Sequence, residues 1–293
     1  MRAVQDAVLL MALAVAAAPA AHADAFLLRD DMQRQVSFAR NPQRIITLLP
    51  SLTETVCALD ACGRLVATDR YSNFPAQAEA LPKAGGLDEV AVELIVSLRP
   101  DLVLLSRSQR ITERLGDLGI QSFVLNSETY ADIAHSIKIV GRILGASARA
   151  DILERRIAAA VEETGAAAVA QRHGQRPAVY FEVDRAPYAA GPASFIGELL
   201  TRLGTRNIVT ADLGAFPKLN PEYVVRHPPD VIFVEAGETE QLAERPGWGQ
   251  LRAVKERRFC SFPSPVTDTI VRPGPRVAQG MRALAECLAR VSP

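Results

Sequence analysis

The chain has 293 residues, with 33 Lys and Arg balanced by 33 Asp and Glu. A formal charge of zero excludes the basic surplus that proteins need to track nucleic-acid phosphates. A hydrophobic content of 48% with 23% charged residues is that of a soluble globular protein rather than a disordered chain or a coiled coil, and the length suits one large domain or two of ordinary size.

Residues 7–18 form an apolar run, followed by Pro19 and the small-residue site Ala21-His22-Ala23. This reads as a secretory signal peptide, too short to span a bilayer. Cleavage after Ala23 leaves a soluble exported chain that starts at Asp24, most simply periplasmic. Export makes the four cysteines candidate disulfides. Cys57 and Cys62 pair if the chain folds back at Asp60-Ala61, and Cys260 in a strand can bridge to Cys287 in the terminal helix; the alternative is buried free thiols.

Strand-like and helix-like runs alternate from there on. Residues 44–49 are a short apolar strand, and Pro50-Ser51 opens a helix in which Ser51 and Glu54 have capping-box spacing. Strands follow at 65–68, 102–106 and 122–125, with helices at 109–118 and 129–144. Continuous apolar strands between helices mean a parallel sheet covered on both faces. From Ser147 to Ala170 there is no Pro and no strand signal, and Ile152, Ile157 and Val161 share one helical face, with Gly165 the only breaker. The alternation restarts with a strand at 178–183, a helix at 194–203, strands at 231–234 and 259–262, and a last helix over 275–290. The organisation expected is a signal peptide over 1–23, an α/β lobe over 24–146, a connecting helix over 147–173 and a second α/β lobe over 174–293.

An internal repeat supports that division. Residues 93–103 and 222–232 match, at an offset of 129, in an initial Glu, a Val at the fourth position, a Pro-Asp pair and the apolar strand that follows. Each copy predicts a short helix with Glu in its first turn and a Pro-Asp turn feeding a buried strand. A Glu there can simply favour the helix N-terminus. Glu93 and Glu222 at equivalent places in two lobes also make a matched pair of charges suited to a symmetric partner.

The stretches 44–54, 70–75, 93–104, 119–120, 222–234, 268–272 and 275–276 together resemble the periplasmic substrate-binding proteins of ABC importers for cobalamin, ferric siderophores and haem. The likeness is greatest to the cobalamin-binding members and runs through nearly all of the exported chain. It implies an α/β fold of two Rossmann-like lobes with parallel sheets joined by one long α-helix. It also implies a non-enzymatic monomer with no cofactor, which binds a chelate between its lobes and delivers it to a two-fold symmetric ABC permease. Glu93 and Glu222 fall where the family pairs with permease arginines. Ligand contacts carry over to Tyr71, Leu87, Tyr188, Phe216 and the segment Asp268, Thr269, Ile270, Val271 and Arg272. Leu87 and Phe216 stand where tryptophans occur in the cobalamin binder, which leaves less aromatic area for a macrocycle. A corrinoid therefore ranks first, a ferric siderophore second, served by Arg70, Arg107, Arg185 and Arg272, and haem third, with Tyr71 or Tyr188 facing the iron.

Rival chemistries find little support. His135, His173 and His227 are scattered and form no metal-ligand spacing. No G-x-G-x-x-G, G-x-S-x-G or P-loop motif accompanies the strands. Ser194 reads as a helix N-cap, and Ser51, at a strand-to-helix turn, has no identifiable His and acid partners. Trp248 reads as packing at a surface helix start.

Overall fold

The computed structural model describes residues 25–86, 89–107, 111–126, 128–184 and 187–292; residues 1–23, Leu87 and Arg185 lie outside them. The first lobe runs through β1 (Phe26–Arg29), β2 (Gln35–Phe38), β3 (Ile45–Thr47), α1 (Pro50–Ala58), β4 (Leu65–Thr68), α2 (Ala76–Glu79), α3 (Val92–Leu98), β5 (Leu102–Leu105), α4 (Thr112–Asp117), β6 (Ser122–Val124) and α5 (Tyr130–Leu144). Helix α6 (Ser147–Gln171) connects it to β7 (Ala178–Asp184), β8 (Tyr188–Ala189), α7 (Phe195–Arg202), β9 (Arg206–Asn207), α8 (Pro221–Arg226), β10 (Val231–Glu235), α9 (Arg252–Lys255), β11 (Phe259–Phe262), α10 (Ser264–Val271) and α11 (Val277–Val291).

The repeat read from the sequence reappears as topology. The first sheet is parallel in the order β4-β3-β5-β6. In the second lobe the parallel strands run β9-β7-β10-β11, which is the same order when only the four parallel strands of each sheet are counted along the chain. The short β8 is added antiparallel to the end of β7. The Pro-Asp pairs have equivalent jobs. Asp101 accepts from the backbone N–H of Gln43 and Arg44, at 2.8 and 3.0 Å, at the entry to β3. Asp230 accepts from the N–H of Ala178, at 2.7 Å, at the entry to β7. Each carboxylate satisfies donors that open the central strand of its sheet, which the ladder alone leaves unpaired.

Alternation along the strands divides the core into layers. Ile45, Leu102, Leu104 and Phe123 of the first sheet and Val179, Phe181, Val231 and Phe233 of the second belong to one continuous apolar cluster that includes Ile157 and Val161 of α6. The intervening residues face two separate outer clusters, Ile46, Val103 and Val124 in one lobe and Tyr180, Ile232 and Val234 in the other. A sheet buried on both faces needs apolar residues at every position, which is why these strands read as unbroken apolar runs.

Helix α6 spans 25 residues, a strut of about 37 Å at 1.5 Å per residue. Its buried stripe is Ala150, Ile157, Val161, Gly165 and Ala168. Ile152, assigned to that face from its spacing, is instead 53% exposed. Gly165 does not break the helix. A Cβ there would lie 3.0 Å from the carbonyl oxygen of Arg202, so the glycine allows the end of α7 to approach the strut closely. The lobes also meet where the start of α5 lies against both ends of α7. Phe195 donates its N–H to the Glu128 carbonyl at 2.7 Å, and the Arg202 guanidinium lies 4.7 Å from the centre of the Tyr130 ring.

The hairpin β1–β2 has no counterpart in the sequence reading, because its four-residue strands alternate exposed and buried positions too briefly to stand out. It is tied to the sheet by buried Asp30, which accepts from Arg34 at 2.6 Å and from the Val124 N–H at 3.2 Å. Trp248 is not at the surface. It is 1% exposed, stacks edge-on against Tyr180 and donates Nε1–H to the Pro221 carbonyl at 3.1 Å.

Both disulfides form, Cys57–Cys62 beside α1 and Cys260–Cys287 between β11 and α11. The second closes a loop of 27 residues against 5 for the first. Chain-entropy bookkeeping then assigns about 3.5 kcal/mol to Cys260–Cys287 and about 2 kcal/mol to Cys57–Cys62. We expect the C260S/C287S double variant to lose more denaturant stability than C57S/C62S; the reverse order in paired urea titrations would contradict the loop-length account.

Candidate ligand cleft and docking surfaces

A cavity of about 520 Å³ opens between the lobes at the carboxyl ends of β3 and β4, where open parallel sheets take ligands. Its first-lobe wall includes Leu48, Ser51, Asp69, Arg70, Tyr71 and Gly86, and its second-lobe wall Ser264, Asp268, Val271 and Arg272. A larger groove of about 630 Å³ runs between α6 and α11 and contains none of the residues singled out from the sequence.

Tyr71 is 56% exposed, and its ring lies over Gly86, where a Cβ would come within 3.3 Å of it. The loop that carries it is braced from below. Asp69, 1% exposed, accepts from the Tyr71 N–H at 2.8 Å and from the Ser72 hydroxyl. Ser72 continues to Thr53 at 2.7 Å and Thr53 to Thr47 at 2.6 Å. Lys83 donates to the Thr68 hydroxyl at 2.9 Å and to the Ser72 carbonyl at 2.7 Å. A satisfied buried network of this kind rigidifies a loop.

Burial pushes the Asp69 carboxyl above its ordinary value of 3.8, outweighing the hydrogen bonds from Ser72 and Tyr71 and the charge of Lys83. Burial likewise lowers Lys83. A carboxyl raised on folding favours the folded state below its unfolded pKa, and loses that contribution as pH rises through the folded pKa. The D69N variant is neutral throughout. Its stability relative to the native protein should therefore be most favourable near neutral pH and decline as pH is lowered towards 4; denaturation midpoints that keep a constant gap across that window would rule this out.

The second-lobe wall differs from the sequence expectation. The capping box is absent: α1 begins at Pro50 with Leu49 as its N-cap, so Ser51 is already inside the helix and buried. Glu54, with a side chain only 1% exposed, turns instead to the other lobe. It accepts from Arg272 Nη1 at 3.0 Å and from Arg276 Nε and Nη2 at 2.8 and 2.5 Å. Arg272 also donates to Asn73 Oδ1 at 2.8 Å and to the Tyr71 carbonyl at 3.0 Å, and pairs with Asp268 at 2.9 Å. Gly274 makes the approach possible, since a Cβ there would stand 3.1 Å from the Ser51 side chain. The sequence offered one signal, a Glu on an apolar helix face with nearby Arg-Pro-Gly-Pro-Arg far along the chain, but its pairing across 218 residues is visible only in three dimensions.

Of the predicted contacts, Tyr71, Asp268, Val271 and Arg272 line the cavity. Thr269 and Ile270 are buried behind it, at 8% and 1% exposure. Tyr188 is exposed on β8 and bridges to Lys218, while Phe216 packs on Phe195 at 6.3 Å; neither lines the cavity. Of the three predicted arginines among the described residues, Arg70 and Arg272 line the cavity and Arg107 does not. Arg272 is committed as described, Arg70 pairs with Glu89 at 3.1 Å, and Arg107, outside the cavity wall, donates to the Asp31 carbonyl.

Glu93 and Glu222 sit in the first turns of α3 and α8, both exposed. Three residues further on, Val96 and Val225 are also exposed, at 44% and 36%. Spacing of three residues puts each Val on the same helix face as its Glu, so the lobes present two matching patches of one carboxylate and one apolar side chain.

The family described as Periplasmic binding protein matches residues 45–266. The chain belongs to that family. Among curated relatives, an uncharacterized ABC transporter substrate-binding lipoprotein of Bacillus subtilis is 29% identical over 269 residues, covering 88% of this chain and 84% of the relative. A cobalamin-binding protein of Halobacterium salinarum is 32% identical over 236 residues, 73% of this chain and 61% of the relative. Among solved structures, a periplasmic heme binding protein from Pseudomonas aeruginosa superposes with a TM-score of 0.76 at 23% identity, over 86% of this chain and 94% of that one. As a periplasmic binding protein the chain works outside the cytoplasm, with a small-molecule ligand and a membrane permease as partners. No helix among the described residues is long and apolar enough to cross a membrane.

Proposed function

We propose that this protein, exported to the periplasm by cleavage after Ala23, carries a corrinoid to a two-fold symmetric ABC permease. The ligand reading rests above all on the charge state of the cleft. Arg272, the buried cation of the wall, is neutralised by Glu54 and Asp268, which leaves only Arg70, in an exposed and weak pair with Glu89, for an anion to draw on among the described residues of the wall. A multiply anionic siderophore would need several unspent cations there, since charge-assisted hydrogen bonds are roughly twice as strong as neutral ones. A corrinoid, rimmed by uncharged amides, instead asks for an aromatic face and scattered polar groups, which the Tyr71 ring and the exposed Ser264 offer. Haem is the second reading, favoured by Tyr71, whose phenol in the cavity wall is a suitable iron ligand.

In operation the ligand enters between the lobes against Tyr71, and the patches at Glu93 and Glu222 present the loaded protein to the permease. The strut α6 and the contact between α5 and α7 limit closure to a small hinge movement. Calorimetric titration of the purified protein with cyanocobalamin, haemin and the anionic tris-catecholate siderophore ferric enterobactin decides among the readings. Saturable heat with cyanocobalamin and none with ferric enterobactin is expected. Binding of haemin alone would favour the second reading, and silence with all three would end the chelate proposal.

A further inference from the structure

We infer that Arg272 is a positioning residue for the ligand cleft, through which the second lobe holds the ligand-facing loop of the first. The inference rests on the cavity described above being the ligand site.

The loop from Asp69 to Pro75 changes hands partway along. Its first half is held by its own lobe, through Asp69, Ser72, Thr53 and Lys83. The second half is held from across the cleft. Arg272 donates to the carbonyl of Tyr71 and to Asn73 Oδ1, Asp268 Oδ2 accepts from Asn73 Nδ2 at 2.9 Å, and Arg276 lies 4.2 Å from the centre of the Phe74 ring. Tyr71 stands at the boundary between the two halves, with its N–H bound by one lobe and its carbonyl by the other.

A strut between lobes would need only the Glu54–Arg276 pair, which is already bidentate. Arg272 adds one further bond to Glu54 and directs its other donors to the loop and to Asp268. Its planar fork satisfies these acceptors together, whereas a lysine offers one point charge and cannot reach both sides. The consequence is mechanical. When the lobes are separated, the Tyr71 carbonyl and both ends of the Asn73 amide lose their partners in the same movement that breaks the bridge to Glu54. The aromatic wall of the cleft is thereby ordered only while the lobes are together, so prying them apart loosens the grip on the ligand without any contact to the ligand itself.

The test compares native protein with R272K and N73A. Hydrogen exchange of the ligand-free proteins is followed for amides of the Tyr71 loop and, as reference, of β3 and β5. Cyanocobalamin and haemin serve as binding probes. Exchange in the loop should accelerate about tenfold in both variants while the reference strands keep native protection. Whichever probe the native protein binds should dissociate about tenfold faster, with its association rate little changed. Native loop protection in both variants would overturn the inference, even if R272K were less stable, and would leave Arg272 a strut between lobes. If neither probe binds the native protein, the ligand reading falls, while the exchange experiment still decides whether Arg272 orders the loop.

Discussion

Replacing Glu54 by Ala should cost about 3–5 kcal/mol of stability, the loss expected when one partner of a buried ion pair is removed and the other charge is left behind. Two guanidinium groups would be stranded, Arg272 and Arg276, whose side chains are 10% and 13% exposed. Their Coulomb compensation comes mainly from Glu54, because Asp268 reaches only Arg272. The effect should persist in high salt, since buried pairs are screened far less than exposed ones. By contrast, breaking the surface pair Arg149–Asp60, whose side chains are 53% and 80% exposed, should cost no more than about 1 kcal/mol. Urea titrations of E54A and D60N at low and high salt measure both; Asn keeps the left-handed backbone of position 60, φ 64°, without the charge. A loss for E54A as small as that for D60N would show that the interlobe bridge is solvated in solution and contributes little to holding the lobes.

Reversing the charges of the two proposed docking patches should have the largest effect on transport. In the E93K/E222K variant each patch would present a cation where a carboxylate stood. If each Glu meets a permease cation at a desolvated contact, truncating one such pair costs about 2–5 kcal/mol, and reversal costs more, so uptake should fall below detection. Neither residue lines the cavity, so ligand affinity should be unchanged. The adjoining V96D and V225D changes test the apolar half of each patch. Uptake by cells and binding by the purified protein separate the two effects: lost affinity together with lost uptake would place Glu93 and Glu222 in the ligand site instead of the docking surface.

These predictions draw on features that differ in how far the sequence disclosed them. The two α/β units, the strut and the repeat were legible, because each rests on local pattern: buried parallel strands carry unbroken apolar runs, and a long stretch without Pro propagates as a helix. The repeat carried further than expected, since Asp101 and Asp230 turned out to hold equivalent strands. The N-cap at Ser194 was also local, and its hydroxyl accepts from the Gly197 N–H at 3.0 Å. Ser51 and Glu54 misled for the same reason. Their spacing satisfies a local rule, but Pro50 starts the helix earlier and a distant arginine pair takes the carboxylate.

The cleft was legible only in part. Tyr71 and the segment around Asp268 could be picked out by position after a strand and by resemblance, yet Phe216 found a partner in Phe195, and nothing along the chain distinguishes a loop aromatic that packs from one that waits. The charge of the site was the least accessible property. Composition set the total at zero, and the near absence of Lys set its carriers as Arg. Whether an Arg is free to meet an anion depends on which carboxylates lie within about 3 Å of it, and for Arg272 one is Asp268, four residues back, while the other is Glu54, 218 residues away. Two lobes and a strut could be read along the chain because they follow from short-range periodicity, and the matched glutamates because the two lobes repeat one pattern. That Arg272 is already spent on joining the lobes emerges only in three dimensions, because electrostatic partnership is a matter of distance in space.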